Sequence, residues 1–143
     1  MKKSLLLVLA LLAVYFAVQP LSSVDQPSPV TQPSNAALER AISARLAGYQ
    51  VSGSGEVARL LSDDDDGSRH QRFILQLQSG RTLLIAHNID LAPRISDLRP
   101  GETVSFFGEY EWNVRGGVIH WTHHDPRAQH IDGWIEYRGN RYQ

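Results

Sequence analysis

The chain has 143 residues, 42% of them hydrophobic, which suits a single domain with a buried core. It contains no cysteine, and this excludes disulfide frameworks, thiolate sites and a lipidated N-terminal cysteine. Both lysines lie at positions 2 and 3, so the rest of the chain carries 12 arginines against 15 carboxylates, a balance that argues against tight, sequence-independent binding to nucleic acid.

The N-terminus has the layout of a secretory signal. Two lysines precede an unbroken apolar run from Leu5 to Val18, and no Ala-x-Ala cleavage motif follows it. This run is shorter than the roughly 20 apolar residues that a membrane-spanning helix needs. We therefore predict that residues 1–23 are a signal peptide or, if uncleaved, an anchor in the inner membrane. Either way we expect an exported, periplasmic protein.

The next two segments differ sharply in composition. Residues 24–34 are rich in Pro, Ser and Gln, which predicts a flexible or extended linker. Residues 35–48 are predicted to form a helix, with Ser34 or Asn35 as its cap and Gly48 at its end. Its apolar stripe at helical spacing comprises Leu38, Ile42, Leu46 and Tyr49. We expect this stripe to pack against the domain that follows.

Residues 49–143 carry the short alternating runs that are typical of β-strands. The predicted strands are Val51–Leu61, Arg69–Gln78, Arg81–Asn88, Glu102–Trp112 and a fifth that starts at Val118. Gly53 and Gly55 predict a bend in the first strand, as a small barrel requires. An extra hairpin is predicted at the C-terminus, with strands at Trp134–Tyr137 and Arg141–Tyr142.

Five strands with a bent first strand predict a mainly β fold, a small five-stranded Greek-key barrel of the oligonucleotide/oligosaccharide-binding (OB) type. One N-terminal helix and the C-terminal hairpin complete this prediction. An open β-sandwich would give a similar pattern. The connection Ile89–Pro100 is shorter than the helix that is common at this point of an OB fold.

Side-chain alternation predicts which residues face each other in two hairpins. Around the turn Asn113–Gly117, the expected pairs are Trp112 with Ile119, Glu111 with His120, Tyr110 with Trp121, Glu109 with Thr122, and Gly108 with His123. Around the turn Ser79–Gly80, they are Arg72 with His87 and Ile74 with Ile85.

Six histidines fall between His70 and His130, and imidazole is a common ligand for zinc, copper and nickel. His120 and His124 share a strand face but lie about 13 Å apart along an extended strand, so they cannot grip one ion. A metal site must therefore be cross-strand. It would combine Glu111 with His120, or His124 with His87 or His130. The spacing matches no standard zinc motif, and the alternative is that these histidines are solvated or hydrogen-bonded, with His123 in the core.

Two further patterns bear on possible chemistry. Asp63–Asp66 and Gly67 resemble a calcium loop, but the twelfth position is Phe73 where a bidentate glutamate is required, so a solvated acidic loop is expected. The candidates for acid–base work are Glu109, Glu111, His120 and Asp125. No nucleophile elbow and no phosphate-binding glycine loop occurs.

Four stretches stand out by their sequence: Ser62–Phe73, Ala86–Arg94, Gly108–Asn113 and His120–Pro126. Together they are similar to a proteobacterial family of small exported proteins of unknown function. The resemblance covers about Val51 to Gln143 and leaves the leader and the predicted helix outside. It implies a single domain and brings no activity, cofactor or partner.

We therefore expect an envelope protein that binds an anionic or polar ligand, such as an oligosaccharide or oligonucleotide, rather than turning one over. The predicted ligand-binding surface consists of Arg69, His70, Arg72, His87, Asn88, Asp90, Arg94, His120, His124 and Asp125. The alternative is a metal-binding protein or metal-dependent hydrolase. It would hold a divalent ion, zinc or copper, through His120, His124, His87 and Glu111. A purely structural envelope protein is the third possibility.

Overall fold

The computed structural model describes residues 34–143. The predicted leader and nearly all of the predicted linker lie outside the described residues. The elements in chain order are α1 (Ala36–Ala44), β1 (Tyr49–Leu60), β2 (His70–Gln76), β3 (Thr82–Asn88), β4 (Thr103–Glu111), β5 (Val118–His120), β6 (Trp134–Tyr137) and β7 (Asn140–Tyr142). Within residues 34–143, no helix is both long and apolar enough to cross a membrane.

Five strands close into a barrel in the order β1-β2-β3-β5-β4, because β4 also pairs with β1. The pair β3–β5 is parallel, and the other pairs around the barrel are antiparallel. This is the topology of a small Greek-key barrel of the OB type, so the predicted fold class is confirmed. The predicted C-terminal hairpin is also present, since β6 extends the sheet from β4 and β7 pairs with β6.

The long strand β1 pairs with both β4 and β2 and bends between the two pairings. Its first part pairs with β4 as far as Glu56, and its last part pairs with β2 after a register shift between Val57 and Arg59. A Cβ atom at Gly55 would lie 2.6 Å from the carbonyl oxygen of Gln76, so only glycine allows the two backbones to approach this closely. The glycine-marked bend predicted for the first strand is therefore present.

Alternate residues of the strands fill the barrel. The buried apolar side chains of the strands are Val51, Val57, Phe73, Leu75, Leu83, Ile85, Val104, Phe106, Tyr110, Ile119, Ile135 and Tyr137. Helix α1 adds the buried Leu38, Ala41 and Ile42 to the same cluster, and Leu46 packs against it partly buried. The predicted stripe is thus confirmed for Leu38, Ile42 and Leu46, but Tyr49 is exposed and belongs to β1. It ends earlier than residue 48, because Arg45 adopts a left-handed conformation with φ 55°.

Asn35 does not cap α1 through its side chain. Its amide instead donates to the carbonyl of Ser54 at 2.9 Å and accepts from the N–H of Ser54 at 2.8 Å. The side chain thus pairs with β1 as a short backbone segment would. This contact fixes the start of the helix against the barrel.

Both predicted hairpin registers were wrong, by different amounts. Between β4 and β5 the observed pairs are Glu109 with His120, Tyr110 with Ile119 and Glu111 with Val118. The register moves by two residues because the turn is centred one residue earlier, where the side chain of Asn113 accepts the N–H groups of Arg115 and Gly117. A shift of two keeps every side chain on its predicted face.

Between β2 and β3 the register is shifted by one residue, and this exchanges the faces of one strand relative to the prediction. Gln71 pairs with His87, and Arg72 pairs with Ala86. The loop contains three residues rather than two, since the N–H of Leu77 bonds to the carbonyl of Arg81, and Gly80 takes the positive φ of 84° that such loops use.

Candidate functional site

Two glutamates of β4 and one histidine of β5 meet on the outer face of the barrel. Glu109 and Glu111 lie two residues apart and so share a face, while His120 is the direct partner of Glu109. One ligand atom from each of the three side chains lies within 4.8 Å of the others, and all three residues are half-buried. This carboxylate–imidazole cluster is the only group of three potential metal ligands among residues 34–143.

Contacts with neighbouring groups hold two members of the cluster. Nε2 of His120 lies 3.4 Å from Oε1 of Glu109. Oε1 of Glu111 accepts the N–H of Gly48, in the turn between α1 and β1, at 2.9 Å. This hydrogen bond orients the carboxylate of Glu111 and leaves its second oxygen for a ligand.

The environment of His120 favours a neutral ring. Burial lowers the pKa of His120, although the carboxylates of Glu109 and Glu111 act in the opposite direction. Nε2 of His120 is shielded from solvent and has no hydrogen-bond partner in the described part of the chain. Nε2 of Gln50 is likewise buried without a hydrogen-bond partner among the described residues. Gln50 lies on β1 and is the strand partner of Glu109 on the side opposite β5. Buried polar atoms without partners are rare, and an ordered water or ion is a common explanation.

A loop after β5 brings a second imidazole to Glu109. Trp121 ends the strand with a positive φ of 53°. Its ring stacks on that of His130 with centroids 3.6 Å apart and planes 16° from parallel. Nδ1 of His130 lies 4.0 Å from Oε2 of Glu109. The two imidazoles of His120 and His130 therefore face the two oxygens of one carboxylate.

Two aspartates shape this loop. The carboxylate of Asp125 accepts the N–H groups of Arg127, Gln129 and His130 at 2.6–3.0 Å. Because these three bonds stabilise the charged form, they lower the pKa of Asp125. Asp132 accepts the N–H of Asp125 at 2.8 Å. Asp125 therefore acts as a scaffold for the loop rather than as an exposed ligand group.

Of the metal ligands predicted from the sequence, the structure brings together Glu111 and His120. His87 and His124 lie elsewhere. The ring of His124 donates to Asp132 at 2.8 Å, on the exposed side of the loop. Glu109 joins the cluster although the predicted register had placed it opposite Thr122. The sequence signal for Glu109 was its position two residues before Glu111, which puts both side chains on one face of the strand.

His87 lies inside the barrel and not on the surface beside Arg72. Its Nε2–H donates to the carbonyl of Pro93 at 3.1 Å, so its Nδ1 accepts the hydroxyl of Thr122 at 2.8 Å. Burial lowers the pKa of His87 to about 4, which keeps the ring neutral. The one-residue register shift explains this placement, since it turns His87 inward with Phe73 and Ile85.

The remaining predicted ligand residues cluster near the acidic loop, and their arginines are already paired. The contacts are Arg69 with Asp90 at 2.7 Å, Arg72 with Asp64 at 3.4 Å, Arg94 with Asp63, His70 with the carbonyl of Ser68, and Asn88 with the N–H of Asp90. Asp63 and Asp64 of the acidic loop therefore pair with Arg94 and Arg72, whereas Arg69 pairs with Asp90. Asp65 and Asp66 are exposed, as expected for a solvated loop.

Comparison with known proteins places the chain in a family. No curated protein matches it significantly. One family model matches residues 19–143, so the match also includes α1 and the preceding segment, which the resemblance noted in the sequence had left out. The chain therefore belongs to the family described as "Protein of unknown function (DUF3465)".

Proposed function

We propose that this protein is an OB-like binding module of the cell envelope that holds a divalent metal ion through Glu109, Glu111 and His120. The observation that carries the proposal is the convergence of their three ligand atoms within 4.8 Å. The buried Nε2 of His120 faces this point, where its 3.4 Å contact with Oε1 of Glu109 lacks hydrogen-bond geometry. A cation there would bond to the imidazole lone pair and neutralise both carboxylates.

The donor set indicates which ions to expect. Imidazole suits zinc, copper, nickel and iron, whereas magnesium and calcium prefer sites built from oxygen alone. A neutral ring is the form that coordinates metal, and burial favours that form in His120. We therefore expect zinc or copper at this site rather than calcium.

Metal content and binding titrations of the purified protein test this proposal. We expect close to one zinc ion per chain and a rise in melting temperature on adding zinc. His120→Ala and Glu109→Gln should weaken binding by at least about tenfold. His124→Ala is the matched control, because it removes another imidazole from the segment after β5 that bonds to Asp132, and it should bind as the wild type does. No bound zinc, or equal losses in His120→Ala and His124→Ala, would contradict the proposal.

A second candidate ligand is an anionic oligosaccharide or oligonucleotide. His70, Arg72 and Asn88 share the outer face of β2–β3, and strands 2 and 3 form the binding face of many OB folds. An anion would have to displace Asp64 from Arg72. Asp64→Asn should therefore strengthen binding of an anionic oligosaccharide at low salt, and Arg72→Ala should abolish it. Equal binding by both variants would contradict this candidate.

Export is the part of the proposal that rests on the sequence alone. The support is the layout of Lys2, Lys3 and the apolar run Leu5–Val18. Residues 1–23 fused to a reporter enzyme that is active only in the periplasm should produce activity there. Moving the two lysines to the other end of the apolar run should reduce it. A reporter that stays cytoplasmic with the native leader would contradict export.

A further inference from the structure

We infer that His130 is the fourth ligand of the proposed metal ion, so that the site is closed and binds metal without an open position for a catalytic water. This inference rests on the metal binding proposed above and goes one step further. It separates a metal carrier or a structural metal centre from a hydrolase. Structural zinc sites have four protein ligands, whereas catalytic sites keep one position for water.

The first argument is distance. Two ligand atoms on one tetrahedral zinc ion lie about 3.3 Å apart, given metal–ligand distances near 2.0–2.1 Å. Nε2 of His120 lies 3.4 Å from one oxygen of Glu109, and Nδ1 of His130 lies 4.0 Å from the other. His120 therefore already lies near the separation that a shared ion requires. His130 lies near Glu109 but outside the group whose ligand atoms are within 4.8 Å of one another, so its ring must move closer to His120 and Glu111 to share the ion.

The second argument is that the loop holds His130 in place. The N–H of His130 donates to Asp125 at 2.8 Å, so its backbone is fixed to the same scaffold as Arg127 and Gln129. The ring is held from one side by its stack on Trp121. Trp121 directly follows His120 in the chain and stacks on His130, so it places the two imidazoles next to each other.

The third argument is charge and ligand number. Two carboxylates match the charge of a divalent ion, and two neutral imidazoles add donors without adding charge. Four ligands from compact side chains suit a four-coordinate ion such as zinc. Calcium, which takes six to eight oxygen ligands, does not fit this set.

Cobalt(II) is the probe for the coordination number, since its visible absorption is intense in a four-coordinate site and weak in a six-coordinate one. The full-length protein should show the intense spectrum. His130→Ala should shift it towards the weak form and lower zinc affinity at least about tenfold, because water replaces a ligand. Gln129→Ala, which changes a neighbouring side chain in the same loop, should leave both properties unchanged.

A cysteine substitution distinguishes a metal ligand from a residue that only supports the loop. The chain contains no cysteine, so any thiolate-to-cobalt charge-transfer band must come from the introduced residue. His130→Cys should show this band, and His124→Cys should not. Retained affinity and an unchanged cobalt spectrum in His130→Ala would overturn the inference, as would loss of affinity without a band in His130→Cys.

These outcomes separate the two proposals. If cobalt and zinc bind with one ion per chain but His130→Ala changes nothing, only the fourth ligand is wrong, and the open site of a hydrolase becomes the better description. If neither ion binds the wild-type protein, the metal-binding proposal itself fails.

Discussion

Glu109 of β4 pairs directly with His120 of β5, and its carboxylate lies 3.4 Å from the imidazole. Partners in an antiparallel pair place their side chains on the same face, so this register alone is enough to bring the acid and the base together. Glu111 shares the face by the alternation of the strand. The cluster therefore depends on secondary structure that the barrel itself fixes.

Glu109→Gln should weaken metal binding without reducing the stability of the metal-free protein. Glu109 and Glu111 carry like charges on one half-buried face, and neutralising one relieves repulsion. We expect the free energy of unfolding in chelator to stay within about 0.5 kcal/mol of the wild type or to rise. Urea unfolding with and without zinc measures this. A large loss of stability in chelator would mean that Glu109 serves the fold rather than a ligand.

Gly55→Ala should destabilise the barrel strongly. The new Cβ atom would lie 2.6 Å from the carbonyl oxygen of Gln76, which belongs to the backbone and cannot rotate away. We expect a loss of about 1–3 kcal/mol, as in other overpacked sites, visible as a lower urea midpoint. Gln76→Ala is the control, because it keeps this carbonyl and changes only an exposed side chain. Equal midpoints for wild type and Gly55→Ala would show that the strands separate easily here.

His87 should make the protein less stable below neutral pH. Burial lowers the pKa of His87 to about 4 from its ordinary value of 6.5, so the unfolded chain binds a proton in this window that the folded chain does not. The stabilisation is complete above pH 6.5 and is lost as the pH falls towards 4. Between pH 7 and pH 5 we expect a loss of about 2 kcal/mol from this group.

The measurement is urea unfolding at pH 7 and pH 5 for the wild type and for His87→Asn. The variant should be less stable at pH 7, because Thr122 and Pro93 lose a partner. Its stability should nevertheless change less between the two pH values. An identical pH dependence in both proteins would rule out His87 as its source.

Asn35→Ala should loosen α1 from the barrel. The amide of Asn35 makes two hydrogen bonds with the backbone of Ser54, and the variant leaves both partly buried groups unpaired. We expect a cost of about 1–3 kcal/mol and faster amide hydrogen exchange in α1. Ser34→Ala, which loses only an exposed 3.3 Å bond to the N–H of Ala36, should cost less. Unchanged exchange in Asn35→Ala would show that the buried side chains of the helix suffice.

The barrel could be predicted because its signals are local. Alternation with a period of two identifies strands, and glycine in β1 marks the place where it must bend. The same alternation put Glu109 and Glu111 on one face, and it assigned the face of His120 correctly despite the wrong partner. Each of these inferences depends only on residues that are close in the chain.

What the tertiary structure alone decided is which of these faces meet and which side chains are left for a ligand. Hairpin register follows from the backbone conformation of the turns. One extra residue in the β2–β3 loop turned His87 into the core, away from Arg72. His130 reaches Glu109 only because Asp125 folds the loop after Trp121. The chain could supply the donors by its composition, but contacts between residues distant in sequence determined which of them converge.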